Sequence, residues 1–288
     1  ENSWAAVFKP GRASRYFDVH AGSTLDATAT AYNSVNAWWL AELSRLVYKE
    51  ERDEIGRQAS GKTRNQILSE VGLEETAFFN AGGSQAALVA PSSSAGPQFV
   101  VVVFRGTDDL QAWFDFNLDL IPTAWPEGGT VHQGFKEAFD VIWHQIEAAL
   151  PAGVPTLYAG HSLGGSLATL AASRRHPTSS YTFGSPRAGD TTFGATVAHD
   201  TLFRVVNNRD IVTEVPPIGL EHIGQLQYIA HNGTMLVNPN DTTVRSDRLK
   251  RDPSFDLKRN LIDRIAGPPQ ELADHAPVNY VAHLERTV

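Results

Sequence analysis

Apolar residues recur at helical spacing from Ser34 to about Ile55, where Val35, Trp39, Leu43, Leu46 and Val47 share one face and a charged run, 49–54, ends the segment. Two β-rich runs follow, 84–90 and 99–104, joined by a loop rich in Pro, Ser and Gly. A turn-rich connection of that length predicts an antiparallel pair. Downstream, strands and helices alternate: helix 134–150, strand 156–159, helix 163–175, strand 181–183, a helix near 190–199 and strand 202–206. Such alternation predicts an α/β fold with a predominantly parallel central sheet flanked by helices. Runs 226–230 and 234–237 enclose Asn232-Gly233 and predict a hairpin with a type I′ turn. The stretch 238–260 is polar with little periodicity and reads as a surface excursion. No linker divides the chain, so 1–288 is expected to form a single domain.

Composition narrows the chemistry. The 288 residues are 42 % hydrophobic and 19 % charged, as in a folded globular chain. A formal charge of −8 argues against a nucleic-acid face. The absence of cysteine excludes disulfides, thiolate metal sites, iron–sulfur clusters and cysteine nucleophiles. No apolar run reaches membrane-spanning length, so no transmembrane segment is expected. The chain opens at Glu1 and its one Met is Met235, a start that a removed leader would leave. Secretion is therefore expected over a cytoplasmic location.

Two motifs compete for the function. Gly56-Arg57-Gln58-Ala59-Ser60-Gly61-Lys62-Thr63 fits the phosphate-loop pattern, which needs a buried strand before it and a helix after it. Here the preceding residues are the charged end of a helix, and no apolar strand ends in an Asp that would hold magnesium. A solvated turn is expected, with no nucleotide. Gly160-His161-Ser162-Leu163-Gly164 fits the G-x-S-x-G elbow, and its context is right: a short strand before it and Leu167, Leu170 and Ala171 at helical spacing after it. A serine there sits on a tight turn at a helix N-terminus, where backbone N–H groups favour a developing oxyanion.

A serine nucleophile needs an acid and a base, in the chain order Ser, Asp or Glu, His for this fold. Asp210 follows strand 202–206 at its carboxyl end, where α/β sheets carry their sites. Asp200 precedes that strand and belongs at its opposite edge; Asp190 reads as a helix cap. Beyond Asp210 lie His222, His231, His275 and His283. His231 abuts a turn and His283 falls inside the last helix, whereas His222 is less easily excluded. His275, in the loop before the last helix, is free to reach across the sheet edge and is the preferred base.

Taken in order, Val103-Phe104-Arg105-Gly106-Thr107, Val131-His132-Gln133-Gly134-Phe135, Gly160-His161-Ser162-Leu163-Gly164-Gly165, Gly184-Ser185-Pro186-Arg187-Ala188-Gly189-Asp190 and Asn207-Asn208-Arg209-Asp210-Ile211-Val212 resemble the class 3 lipases, the fungal triacylglycerol lipase type of α/β hydrolase. The resemblance implies that fold, with Ser162 as nucleophile, Asp210 as acid, His275 as base, no cofactor or metal, and an oxyanion hole from the backbone N–H groups of Thr107 and Leu163. One such donor is typically worth about 3–4 kcal/mol of transition-state stabilisation. Thr213 stands where many relatives carry Pro, Tyr280 lies farther from His275 than the corresponding Tyr of fungal members, and their disulfides are impossible here. The resemblance is thus to a bacterial-type or otherwise distant branch.

After Thr107, the segment 108–115 places Leu110, Trp113 and Phe114 on one face of a short helix. In the family such a helix is a lid over the active site; a helix packed permanently in the core is the alternative. The implied substrate is a lipid ester at a lipid–water interface, first of all a triacylglycerol. Phospholipids, galactolipids and feruloyl esters are alternatives on the same fold. A catalytically silent lipid-binding module would not need Ser162, Asp210 and His275 together.

Overall fold

The structure, a computed structural model, describes residues 1–12, 15–18, 24–51, 61–93, 98–107, 121–250 and 267–288. A short helix α1 (Trp4–Phe8) precedes α2 (Ser34–Leu46), which starts where the Asn33 side chain accepts the Asn36 N–H at 3.1 Å. α2 stops short of the helix expected through 55, because the chain turns at once: Lys49 N donates back to Leu46 O at 2.9 Å. Residues 52–60, most of the phosphate-loop match, lie outside the described residues. Its end, Thr63, caps α3 (Arg64–Ser69) in a reciprocal box with Gln66, and Lys62 pairs with Glu70 at the surface.

Eight strands form one sheet in the order β1-β2-β3-β6-β7-β8-β9-β10. β1 (Leu73–Ala81), β2 (Ser84–Pro91) and β3 (Val100–Phe104) pair antiparallel. β3 then pairs parallel with β6 (Thr156–His161), followed by β7 (Ser179–Phe183), β8 (Leu202–Asn207) and β9 (Gln225–Ile229), all parallel. β10 (Met235–Val237) closes the edge antiparallel to β9, while β4 (Pro122–Ala124) and β5 (Thr130–His132) form a separate ribbon. The sequence pattern missed β1, an edge strand whose mixed exposure and bulge near Thr76 blur its alternation.

Helices cover both faces, which is why β3, β6 and β7 are buried along their whole length. On one face α4 (Gln133–Ala149) presents Phe135, Phe139, Ile142 and Ile146, and α5 (Leu163–Arg174) presents Leu167 and Leu170, to Val100, Val102 and Phe104 of β3. On the other, Trp38, Leu40 and Leu43 of α2 meet Val101 and Val103. The two valine sets alternate along one strand, one to each face.

Beyond β7 come α6 (Thr191–Gly194), shorter than the helix expected over 190–199, and after β10 comes α7 (Asp241–Arg248). The stretch 238–250 lies at the surface, as expected, but carries a regular element: α7 is a capped helix that buries Asp247, and 251–266 lie outside the described residues. The β9–β10 turn also differs from the expected type I′. Gly233 alone has positive φ, +81°, and Gly233 N donates to Ala230 O at 2.8 Å, giving a type I turn followed by a left-handed glycine. The chain ends on α8 (Gln270–Ala273) and α9 (Pro277–Leu284), whose Tyr280, Val281 and Leu284 join the α2 face. Among the described residues, no helix is long and apolar enough to cross a membrane.

Two glycines fix how closely α5 follows the sheet. A Cβ at Gly160 would lie 2.2 Å from the Gly164 carbonyl, and one at Gly164 would lie 2.2 Å from Phe104 O. Gly160→Ala is therefore expected to destabilise the protein by about 1–3 kcal/mol or more through overpacking, read as a lowered midpoint in urea unfolding.

Candidate active site

Ser162 is the residue between β6 and α5. Its φ of 58° and ψ of −130° are strained for a residue with a Cβ, and its amide is held by Phe183 O at 2.9 Å. The glycine contacts just described allow this turn. They leave the Ser162 side chain at the N-terminal end of a 12-residue helix, 1 % exposed.

Asp210 lies just past β8 and opens a 3-10 turn, Ile211–Glu214. Although fully buried, its carboxylate accepts from Val212 N at 2.9 Å, from the Tyr280 hydroxyl at 2.6 Å, and from His275 Nδ1 at 3.0 and 2.9 Å to its two oxygens. Because a carboxylate only accepts, Nδ1 carries the imidazole proton and Nε2 is left as a base. Burial, then the charge of Asp210, pushes the Tyr280 hydroxyl well above its ordinary pKa, so it stays a donor. Gly184, at φ +59°, makes room: a Cβ there would fall 2.5 Å from Asp210 Oδ2 and 3.0 Å from His275 Nδ1.

His275 Nε2 and Ser162 Oγ are both buried, and neither has a hydrogen-bond partner among the described residues. Two imidazole rings meet here at a tilt of 36°: His161, next to Ser162, lies 4.5 Å centroid to centroid from His275. His161 Nε2 donates to His275 O at 2.7 Å, so its Nδ1 accepts from the Tyr48 hydroxyl at 3.0 Å. Burial and then the neighbouring His275 hold His161 well below the usual histidine pKa, which keeps it neutral.

Of the other sequence candidates, His222 makes no bond to Asp210, and His231 pairs with Asp247 instead. Asp190 caps α6, accepting from Phe193 N at 2.8 Å, as expected. Thr107 follows Gly106 at the end of β3, and a Cβ at Gly106 would stand 3.2 Å from Ser162 Cβ; Leu163 is the first residue of α5. Leu163 is thus the chain neighbour of Ser162, and Gly106, which precedes Thr107, packs against it. Leu110, Trp113 and Phe114 lie outside the described residues. Sequence reasoning assigned no role to His161, Tyr48 or Gly184. His161 stood inside the elbow motif, but Tyr48, 113 residues away, gave no local signal.

Residues 101–220 match the family model for Lipase (class 3). Over that region the chain resembles the class 3 lipases. It is 32 % identical over 154 residues to a lipase of Rhizomucor miehei, covering 46 % of this chain and 42 % of that protein. It is 36 % identical over 132 residues to the secreted mono- and diacylglycerol lipase 1 of Fusarium solani, covering 41 % and 40 %. The matches therefore span about two fifths of the length of these curated relatives. The solved Rhizomucor miehei lipase propeptide complex shares the fold at a TM-score of 0.56 and 24 % identity, over 82 % of this chain and 83 % of that one. That likeness is one of fold: an α/β-hydrolase fold with a mostly parallel central sheet flanked by helices.

His222 is also held well below the usual range, by burial and then by Arg204 and Arg187. With His161 and His222 neutral in the fold, the unfolded chain binds more protons below its histidine pKa of about 6.5. Stability is expected to be level on this account above pH 6.5 and to fall below it, by about 1.4 kcal/mol per pH unit for each histidine. Urea unfolding at pH 7.5, 6.5 and 5.5 reads this slope, and His161→Gln should make it shallower.

Proposed function

We propose that the chain, as one domain over 1–288, is a secreted serine carboxylic-ester hydrolase. Its proposed substrate is a triacylglycerol or related lipid ester at a lipid–water interface. The observation that carries this is the Asp210–His275 contact, which leaves a buried, unpartnered Nε2 beside the strained Ser162. Extracellular action draws support from the matched Fusarium solani relative, which is named as secreted.

In this reading His275 Nε2 takes the Ser162 proton as Oγ attacks the ester carbonyl, and Asp210 stabilises the imidazolium. The carbonyl oxygen, now negative, turns to the backbone N–H groups of Leu163 and Thr107, aided by the positive end of the α5 dipole. His275 then gives its proton to the departing alcohol as the C–O bond breaks, leaving an acyl-serine. Water, deprotonated by the same nitrogen, releases the acid and restores Ser162. The Asp210 carboxylate in this scheme accepts from three kinds of donor, a backbone N–H, the imidazole and a phenol hydroxyl.

A serine-directed fluorophosphonate should label the native chain and leave Ser162→Ala unlabelled; equal labelling of both would overturn the assignment. Asp210→Asn should lower kcat on p-nitrophenyl butyrate by on the order of 10⁴-fold with KM little changed. Rates on emulsified triacylglycerol, phosphatidylcholine, galactolipid and a feruloyl ester identify the substrate class. A triacylglycerol rate below the other three would sink the lipase reading while leaving the hydrolase intact.

A further inference from the structure

The loop that carries Asp210 is held by two separate sets of contacts, divided by alternate residues. Asn207 and Arg209 face the base: Asn207 Nδ2 donates to Asp274 O at 2.9 Å, Arg209 N to Asp274 Oδ2 at 3.1 Å, and the Arg209 guanidinium pairs with Glu271 of α8. Asn208 faces the other way, to α7. Its side-chain amide donates to Asp247 Oδ2 at 2.9 Å, and its carbonyl accepts from Arg248 Nε at 2.9 Å. Asn208 itself sits at φ +31°, a conformation that needs such anchoring.

The same two helix residues reach the far flank of the acid. Arg248 Nη2 donates to Thr213 Oγ1 at 3.3 Å, Nη1 pairs with Glu214, and Thr213 Oγ1 in turn donates to Asp210 O at 2.8 Å. One guanidinium therefore ties residues 208, 213 and 214 together across Asp210. Asp247, 5 % exposed, is itself fixed by the Tyr228 hydroxyl at 3.0 Å, by His231 N at 2.8 Å and by the His231 ring. Val244 seats the helix on Val206, Tyr228 and Ala230. A surface helix needs no buried carboxylate to stay on a sheet, and apolar contact alone would cost less.

We propose that Asp247 and Arg248 are positioning residues for the acid: α7 sets the backbone of 208–214, and through it the angle at which Asp210 meets His275. This rests on the reading of Asp210 as the catalytic acid. The pair lies beyond the region matched by the family model, which ends at 220.

The test compares Arg248→Gln, Arg248→Lys and Asp247→Asn with Arg245→Ala, an exposed position on the same helix. Each is assayed on p-nitrophenyl butyrate below its own melting midpoint, with rates divided by sites titrated with the fluorophosphonate. A tilted carboxylate stabilises the imidazolium less, so Arg248→Gln and Asp247→Asn should lose on the order of 10- to 100-fold in kcat, with KM within about twofold. The acid limb of kcat/KM should move to lower pH. Among the described residues, the titratable and charged groups on the imidazole's side include Asp210, Tyr280, His161, Asp274, Arg209 and Glu271, all unchanged in these variants. Arg248→Lys, which keeps the charge, should recover part of kcat, and Arg245→Ala should match the parent. Parental kcat per titrated site and an unmoved acid limb in the variants that fold would overturn the proposal, even if they melt earlier. Parental kcat in Asp210→Asn would instead overturn the acid assignment beneath it.

Discussion

A carboxylate with no exposure to water is tolerated only if the protein supplies every donor that water would have given, and Asp210 sets that demand for the whole site. The donors come from distant parts of the chain: the next turn through Val212 N, the loop before α9 through His275, and α9 itself through Tyr280. Gly184, at the end of β7, leaves the space in which they converge. Tyr280 also accepts from Asn207 N at 3.1 Å, so the hydroxyl that satisfies the acid satisfies the loop backbone as well. Remove the carboxylate and these elements lose their common partner; keep it, and the imidazole has one orientation.

The second buried polar chain, Tyr48 to His161 to the His275 carbonyl, works with neutral groups. Here the low dielectric keeps His161 uncharged, so its two nitrogens have fixed and opposite roles. His275 is thus held at two points, by its ring to Asp210 and by its backbone to His161. His161 belongs to the same strand end that delivers Ser162, so Ser162 and His275 are referenced to one piece of rigid sheet.

Much of this was legible in the sequence because it is local. The elbow, the strand before Asp210 and the helix cap at Asp190 all declare themselves within a few residues. The parallel centre of the sheet was legible too, since strands and helices alternate along that part of the chain. What escaped was long-range or lay at an edge. Tyr48 has no helical or strand signal for a role 113 residues away, and β1 alternates too weakly to stand out. α7 was hidden because its apolar content is nearly confined to Val244, and a helix fixed by Asp247 and Arg248 looks like solvent-facing charge. The matched region reaches Thr107, Ser162 and Asp210 but ends before His275, which chain order, position before the last helix and the resemblance each pointed to.

The docking of α9 on α2 has a bearing on how the chain folds. Asp210 and Tyr280 are 70 residues apart, and His161 and His275 are 114 apart, so these contacts close some of the longest loops in the molecule. Long loops are entropically the most expensive to close and tend to close late. The parallel sheet can be complete, with Ser162 already on its turn, while the imidazole is still unplaced. The cluster around Asp210 and His275 is then the last part of the chain to form, and a folding intermediate with an intact sheet would lack it until its final helix settles.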